Sequence, residues 1–235
     1  VVAGSHGKTT TTSLIASIFS NAKLDPTIIN GGVLNSFKNS AKLGKSNWCV
    51  LESDESDGSF IKVPPTYAIV TNIDREHMDF YKSIDHLKKL FIEFITKVPS
   101  FGKTFICIDD KNNCEILKKI RIKNYYTYGT NSKSQFQIKD IEQCKDFSKF
   151  DVTIRLPGKR KLSLKNIKIP LLGLHNIRNA TAALAVSITI GVSKEIIKKS
   201  LKEFKGVERR FNKIFTFRET DFYDDYAHHP TEIKE

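Results

Sequence analysis

Apolar residues recur along the chain in short runs whose spacing alternates between two periods. Leu14, Ile15, Ile18, Phe19 and Ala22 fall at helical spacing and predict an amphipathic helix over residues 8–22. Residues 26–30 (PTIIN), 47–52 (NWCVLE), 66–73 (TYAIVTNI), 103–110 (KTFICIDD) and 124–130 (NYYTYGT) are compact apolar stretches and predict strands. Helical patterns over 83–98 and 111–122 lie between the last three. Strands alternating with helices argue for an α/β fold in three layers, with a mainly parallel sheet covered on both faces.

From 136 to 172 the pattern changes to period-two runs with a Pro157-Gly158 turn, which predicts a small antiparallel patch added to the sheet. Helical spacing returns over 175–191, closed by Gly191, and over 193–204, with Ser193 as N-cap. After Gly206 the stretches RRFNKIFTF and TDFYDDYAHHPTEIKE begin a new strand-rich unit. The domain boundary is therefore expected near 206, with residues 1–206 forming one domain and 207–235 the beginning of a second.

With 235 residues and 40% hydrophobic content, the chain can bury a substantial core. It has no apolar run of membrane-spanning length and no export signal, so a cytoplasmic location without a membrane partner is expected. Cys49 and Cys107 lie in apolar strands and are expected to be core thiols. The net charge of +12 comes from dispersed lysines rather than a basic groove. It fits an anionic small-molecule partner better than a nucleic acid.

The opening, VVAGSHGKTTTTS, carries the strongest chemical signal. Gly4, Ser5, His6, Gly7, Lys8, Thr9 and Thr10 place a glycine turn, backbone N–H groups, a helix start and an ammonium around one anion, as a nucleotide phosphate requires. Val2 stands where the general phosphate-loop pattern has its first glycine, and only three residues precede the loop. The chain is thus expected to be a piece of something longer. Lys8 would neutralise the β- and γ-phosphates, and the Thr9 hydroxyl would ligate Mg2+.

Such a metal also needs a carboxylate from a neighbouring strand end. Glu52, Asp54, Glu55 and Asp57 follow an apolar strand as candidates; Glu52, closest to the strand end, is the best, while Asp57 fits equally well as a cap of the next turn. His77 follows the next apolar strand and is a candidate second-metal ligand, although a lone histidine is more often structural. Asn176 and Asn179, beside His175, read either as helix caps or as amides matched to an adenine edge. Arg209, Arg210 and Asp225 read either as solvated charges at a domain joint or as groups that reach nucleotide phosphate and ribose from the second unit.

In this order, AGSHGKTTTTS, INGGVLNSF, ESDESDGSF, TNIDREHMDFY, GLHNIRNATAA, GVERRF and DDYAHHPTE resemble the motifs of the cytoplasmic Mur ligases of peptidoglycan synthesis, over essentially the whole chain. The resemblance implies a central ATP-binding domain followed by the first strands of a Rossmann-like carboxyl-terminal domain. It also implies the reaction: ATP phosphorylates the lactyl carboxylate of UDP-N-acetylmuramate, and the amine of L-alanine attacks the acyl phosphate. A murein-peptide-recycling ligase is the alternative within the family, and a non-ligating phosphate-loop module the alternative outside it. By resemblance, Lys8 steadies the transferring phosphoryl group, Thr9 and Glu52 hold one Mg2+, and Glu52 with His77 holds a second. Asn176 and Asn179 lie on the adenine side, Arg210 and Asp225 reach over the nucleotide, and His228 and His229 face the acceptor. Related ligases carry a modified lysine beyond the HMD segment; here the region around Phe91 and Ile92 is apolar, and no modified lysine is assigned. The chain as it stands is expected to bind Mg-ATP without forming an amide bond.

Overall fold

The computed structural model describes residues 1–234. A short β1 (Val2–Ala3) feeds the glycine loop and α1 (Lys8–Asn21), followed by β2 (Thr27–Leu34), β3 (Asn39–Lys42) and β4 (Cys49–Leu51). A 3-10 turn at Ser59–Lys62 leads to β5 (Tyr67–Val70), α2 (Met78–Tyr81), α3 (Ile84–Thr96), β6 (Lys103–Cys107), α4 (Lys111–Leu117) and β7 (Tyr125–Gly129). The chain continues through β8 (Phe136–Gln143), β9 (Ser148–Ile154), β10 (Leu162–Ile169), α5 (Leu174–Thr189) and α6 (Lys194–Lys202). It closes with β11 (Asn212–Phe217), β12 (Thr220–Asp224) and α7 (Pro230–Lys234).

Seven strands form one sheet in the order β1-β5-β6-β7-β8-β9-β10. Neighbours are parallel as far as β8, and β9 and β10 are added antiparallel. This is the α/β architecture with an antiparallel patch that periodicity predicts. A smaller sheet, β3-β2-β4, abuts the β1 edge. Val2 and Glu52 form a parallel bridge, and the Ser53 N–H donates to the Val2 carbonyl at 2.9 Å. β1 thus lies between β4 and β5, with the chain leaving it first toward β2 and later toward β6. Strand order reverses there, and open parallel sheets leave a ligand crevice at such a point.

Strand alternation builds two cores from one sheet. Ile69, Phe105 and Cys107 face a cluster containing Leu14, Ile18, Ile177 and Ala180 of α1 and α5. Ala68, Val70 and Ile106 face Phe91, Phe94 and Ile95 of α3 on the other side. A side chain such as Phe105, wholly buried, contributes roughly 1.5–3 kcal/mol through the water it sheds. Because α5 and α6 both pack on α1, that helix is buried on more than one face. Its Thr9–Ser13 segment lies inside the protein along with the apolar stripe.

Several expectations need correction. Cys107 is buried, but Cys49 is exposed, because β4 turns Val50 inward and its two neighbours outward. The helix expected over 111–122 ends at Leu117, and Ile120 and Ile122 pack on the α3 core from a non-helical segment. β3 has no apolar pattern to announce it: it pairs antiparallel with β2 through backbone alone, as an exposed edge. Ser193 caps α6 as predicted, its hydroxyl accepting from the Ile196 N–H at 3.3 Å. Among the described residues no helix is long and apolar enough to cross a membrane.

Candidate functional site

The glycine loop is shaped by what surrounds it. Gly4 has φ 133 and Gly7 has φ 81, conformations that side chains with a Cβ rarely adopt. A Cβ on Gly4 would stand 2.1 Å from Thr71 Oγ1, and one on Gly7 2.6 Å from Asn179 Oδ1. The loop therefore sits clamped between the end of β5 and the start of α5. The residues after β5 complete the clamp. Ser5 N–H donates to the Asn72 carbonyl at 3.0 Å and His6 N–H to Asn72 Oδ1 at 2.8 Å. Asp74 N–H donates to Ser5 Oγ at 2.8 Å, and Thr71 Oγ1 donates to the His6 carbonyl at 2.7 Å. α1 then starts on Gly7 with no side-chain cap, so its first N–H groups remain for an anion.

Lys8 reaches from this helix start to the end of β4. Its Nζ lies 2.6 Å from Glu55 Oε2 and 3.3 Å from Asp54 Oδ1. Burial works against the ammonium, but the two carboxylates outweigh it and hold Lys8 above its ordinary value. Glu55 has no exposed side-chain surface. Burial raises its carboxyl to about 7 despite the pull of Lys8, and its Oε1 has no hydrogen-bond partner. The Tyr81 hydroxyl donates to the Glu55 backbone carbonyl, tying this turn to α2.

Thr9 Oγ1 donates to Glu52 Oε1 at 2.8 Å, and Glu52 Oε2 accepts the Gly31 N–H at 2.7 Å. Thr9 and Glu52 are thus in direct contact. His77 joins Asp54 and Glu55, with one ligand atom from each within 4.8 Å of the others. The acidic turn carries two carboxylates to His77. His77 itself has φ 55, a left-handed backbone that costs a non-glycine residue about 1–2 kcal/mol. Asp57 takes the capping role, with Oδ1 accepting the Ser59 N–H at 2.9 Å.

A buried, unpartnered carboxylate oxygen beside a second carboxylate, an imidazole and the Thr9–Glu52 pair is a donor set that fits a divalent cation. Among the four acidic residues at 52–57, pattern reading preferred Glu52 over Asp54 and Glu55. All four follow an apolar strand, but the burial of Glu55 is not visible in a sequence.

Across the loop, a cavity of about 1020 Å³ is lined by His6, Gly7, Asn176, Asn179, Arg210 and Asp225 among others. The structure thus brings both helix-start asparagines, Arg210 and Asp225, but not Arg209, to the cavity beside the phosphate loop. Neither asparagine is the cap of α5, a position taken by Gly173. Asn176 Nδ2 donates to the Leu172 carbonyl at 2.8 Å, and Asn179 Nδ2 to Asn176 Oδ1 at 3.3 Å. Arg178, between them, donates to Asp109 Oδ2 at 2.8 Å. Asp109 also accepts the Thr130 and Asn131 N–H groups, which hold its carboxyl below the usual range despite burial.

Arg209 and Arg210 both lie over the Tyr226 ring, and Asp225 Oδ1 accepts the Ala227 N–H at 2.7 Å. His229 packs against the His6 ring with centroids 5.0 Å apart, whereas His228 is exposed.

The sequence pattern of the Mur ligase middle domain matches residues 2–187. The chain belongs to the Mur ligase family. A UDP-N-acetylmuramate–L-alanine ligase of Pelagibacter ubique is 74% identical to it over the whole chain, which covers 51% of that protein. The chain spans about half the length of the curated Mur ligases it matches. Among solved Mur ligases, the UDP-N-acetylmuramate-alanine ligase of Thermotoga maritima superposes with a TM-score of 0.82 at 30% identity, covering 99% of this chain and 51% of its own. The UDP-N-acetylmuramate:L-alanyl-γ-D-glutamyl-meso-diaminopimelate ligase of Neisseria meningitides reaches 0.74 at 28% identity over 88% of this chain and 66% of its own.

Proposed function

We propose that this chain is the ATP-binding core of a ligase that joins L-alanine to UDP-N-acetylmuramate in peptidoglycan synthesis, within the cytoplasm. The observation that carries the reading is the convergence of Lys8, the Thr9–Glu52 pair and the Asp54–Glu55–His77 cluster on one helix start at the switch point of the sheet. The 74% identical relative supports the alanine-adding activity over the peptide-recycling one. Residues 1–206 would form the central domain and 207–235 the beginning of the third.

In this reading the phosphates of ATP lie on the amides following Gly7, with Lys8 moving from Glu55 and Asp54 onto the β- and γ-phosphate oxygens. Asn176 and Asn179 meet the adenine edge, and Arg210 and Asp225 reach phosphate and ribose from the other wall of the cavity. Thr9, Glu52, Asp54, Glu55 and His77 are the residues that would hold Mg2+, two ions being the reading their two groupings favour. Bound there, Mg2+ screens the repulsion between triphosphate and carboxylate. Transfer of the γ-phosphoryl to the muramate lactyl oxygen breaks the bond to ADP and gives an acyl phosphate. The alanine amine then attacks the acyl carbon, forms the amide and expels phosphate.

The test is phosphate release by the whole ligase that contains this segment, supplied with ATP, Mg2+ and UDP-N-acetylmuramate. Release that depends on L-alanine supports the reading. Release that depends on a peptide and ignores alanine supports the recycling enzyme, and release indifferent to both amines overturns the ligase assignment.

A further inference from the structure

A second cluster of metal-ligating side chains lies beside the phosphate loop but apart from the Lys8 and His77 groups. His6, Glu76 and His229 each offer a ligand atom within 4.8 Å of the other two. We propose that these three residues form a site for a borderline divalent transition ion such as Zn2+, which ties the phosphate loop to the carboxyl-terminal segment.

Three features carry the assignment. The donor chemistry is two imidazoles and a carboxylate, a set that suits Zn2+ or Co2+ better than Mg2+. The oxygen-rich Asp54–Glu55–His77 cluster has the opposite bias. The second feature is that the His6 ring is already oriented as metal-bound histidines are. Its Nε2 lies 3.0 Å from Asp74 Oδ2, and that carboxylate is itself fixed by a 2.8 Å bond from Thr231 Oγ1. A carboxylate on one ring nitrogen leaves the other for the ion. That other nitrogen, Nδ1, stands 3.8 Å from Glu76 Oε1 and shares a 3.3 Å hydrogen bond with Glu232 Oε1, a bond that an ion would replace. Four-coordinate Zn2+ with bonds near 2.0–2.1 Å needs donors about 3.3 Å apart, so the three donors, now within 4.8 Å of one another, would close in on the ion.

The third feature is charge. Asp74, Glu76 and Glu232 gather three carboxylates around His6, all at most one-third exposed. Arg210 is the nearby cation acting on Glu232. A dication that takes the place of the His6 ring proton brings this group to neutrality. His229 is held only loosely, by a 3.3 Å bond from the Thr231 N–H to Nδ1 and a 3.9 Å approach to Asp74, so it is free to turn toward an ion. Because His6 belongs to the loop and His229 to the last segment, an ion here would fasten the two together. The inference stands on these residues alone and does not depend on the ligase reading.

Co2+ is the probe, because four-coordinate Co2+ absorbs in the visible and six-coordinate Co2+ barely does. The chain is titrated with Co2+ in excess Mg2+, and the His229→Ala and His77→Ala variants are titrated beside it. Uptake of one equivalent with four-coordinate bands, lost in His229→Ala and kept in His77→Ala, is the expected result. His229→Ala alters a partly exposed position, and a far-ultraviolet spectrum matching the parent confirms that it folds; should it not fold, Glu76→Gln replaces it with the same expected loss. No bands in the parent, or bands that survive both His229→Ala and Glu76→Gln or vanish with His77→Ala, overturn the proposal.

Discussion

Glu55 makes the stability of the ligand-free chain depend on pH in a direction opposite to most carboxylates. Its side chain is wholly buried beside Lys8, with Oε1 unpartnered, and its carboxyl is raised from 4.5 to about 7. An acid whose pKa is higher in the folded state binds more protons folded than unfolded between those two values. Stability from this group is therefore fully present below about 4.5 and is lost as pH rises through about 7. At about 1.4 kcal/mol for each pH unit, the gap is worth about 3 kcal/mol once the carboxyl is forced to ionise. Glu55→Gln keeps the shape and an acceptor for Lys8 but cannot ionise. Urea unfolding of parent and variant without nucleotide or metal, from about pH 5 to about pH 8, should give a stability difference that moves by about 3 kcal/mol in favour of the variant as pH rises. Taking the difference cancels the other titrating groups, notably His6, which Glu232 and Asp74 lift to about 9 against the effect of burial. Two curves that run parallel across the range would refute the assignment of Glu55 as a buried, protonated acid.

Three further outcomes follow from the same geometry. Gly7→Ala places a Cβ 2.6 Å from Asn179 Oδ1 at φ 81; the backbone cost alone, about 1–2 kcal/mol, should weaken binding of an ATP analogue roughly five- to thirty-fold, and an unchanged Kd by calorimetry would place the phosphates elsewhere. His77→Ala should raise the Mg2+ concentration needed for phosphate release by the whole ligase by more than the roughly tenfold typical of outer-shell losses, with ATP affinity changed less; overlaid Mg2+ titrations would make His77 structural. Ser193→Ala removes the side-chain acceptor of the Ile196 N–H, costs about 1 kcal/mol and should lower Tm by about 2–4 °C, whereas an unshifted melt would mean that the cap contributes nothing.

Local order along the chain determined a good deal. Periods of two and of about 3.6 placed nearly every strand and helix of the sheet, because each element must present an apolar face to be covered. Gly-Lys-Thr at a helix start was legible because left-handed turns, free N–H groups and an ammonium are local properties of residue type. Ser193 and Gly191 marked helix ends for the same reason. What sequence could not decide was where separate loops meet. That Glu55 stands with His77 depends on how the turn after β4 folds under Tyr81, with Glu55 and Tyr81 26 residues apart along the chain. Cys49 and Val50 look alike in an apolar run, and only the packing of β4 beside β2 and β1 sends one outward and the other in. β3 owes its strand to backbone bonds with β2 and not to any pattern of its own. The gathering of His6, Asp74, Glu76, His229 and Glu232 joins the first residues to the last, 226 positions apart between His6 and Glu232. Contacts of that range are written in the folded surface and its charge balance, since no periodicity links residues so distant.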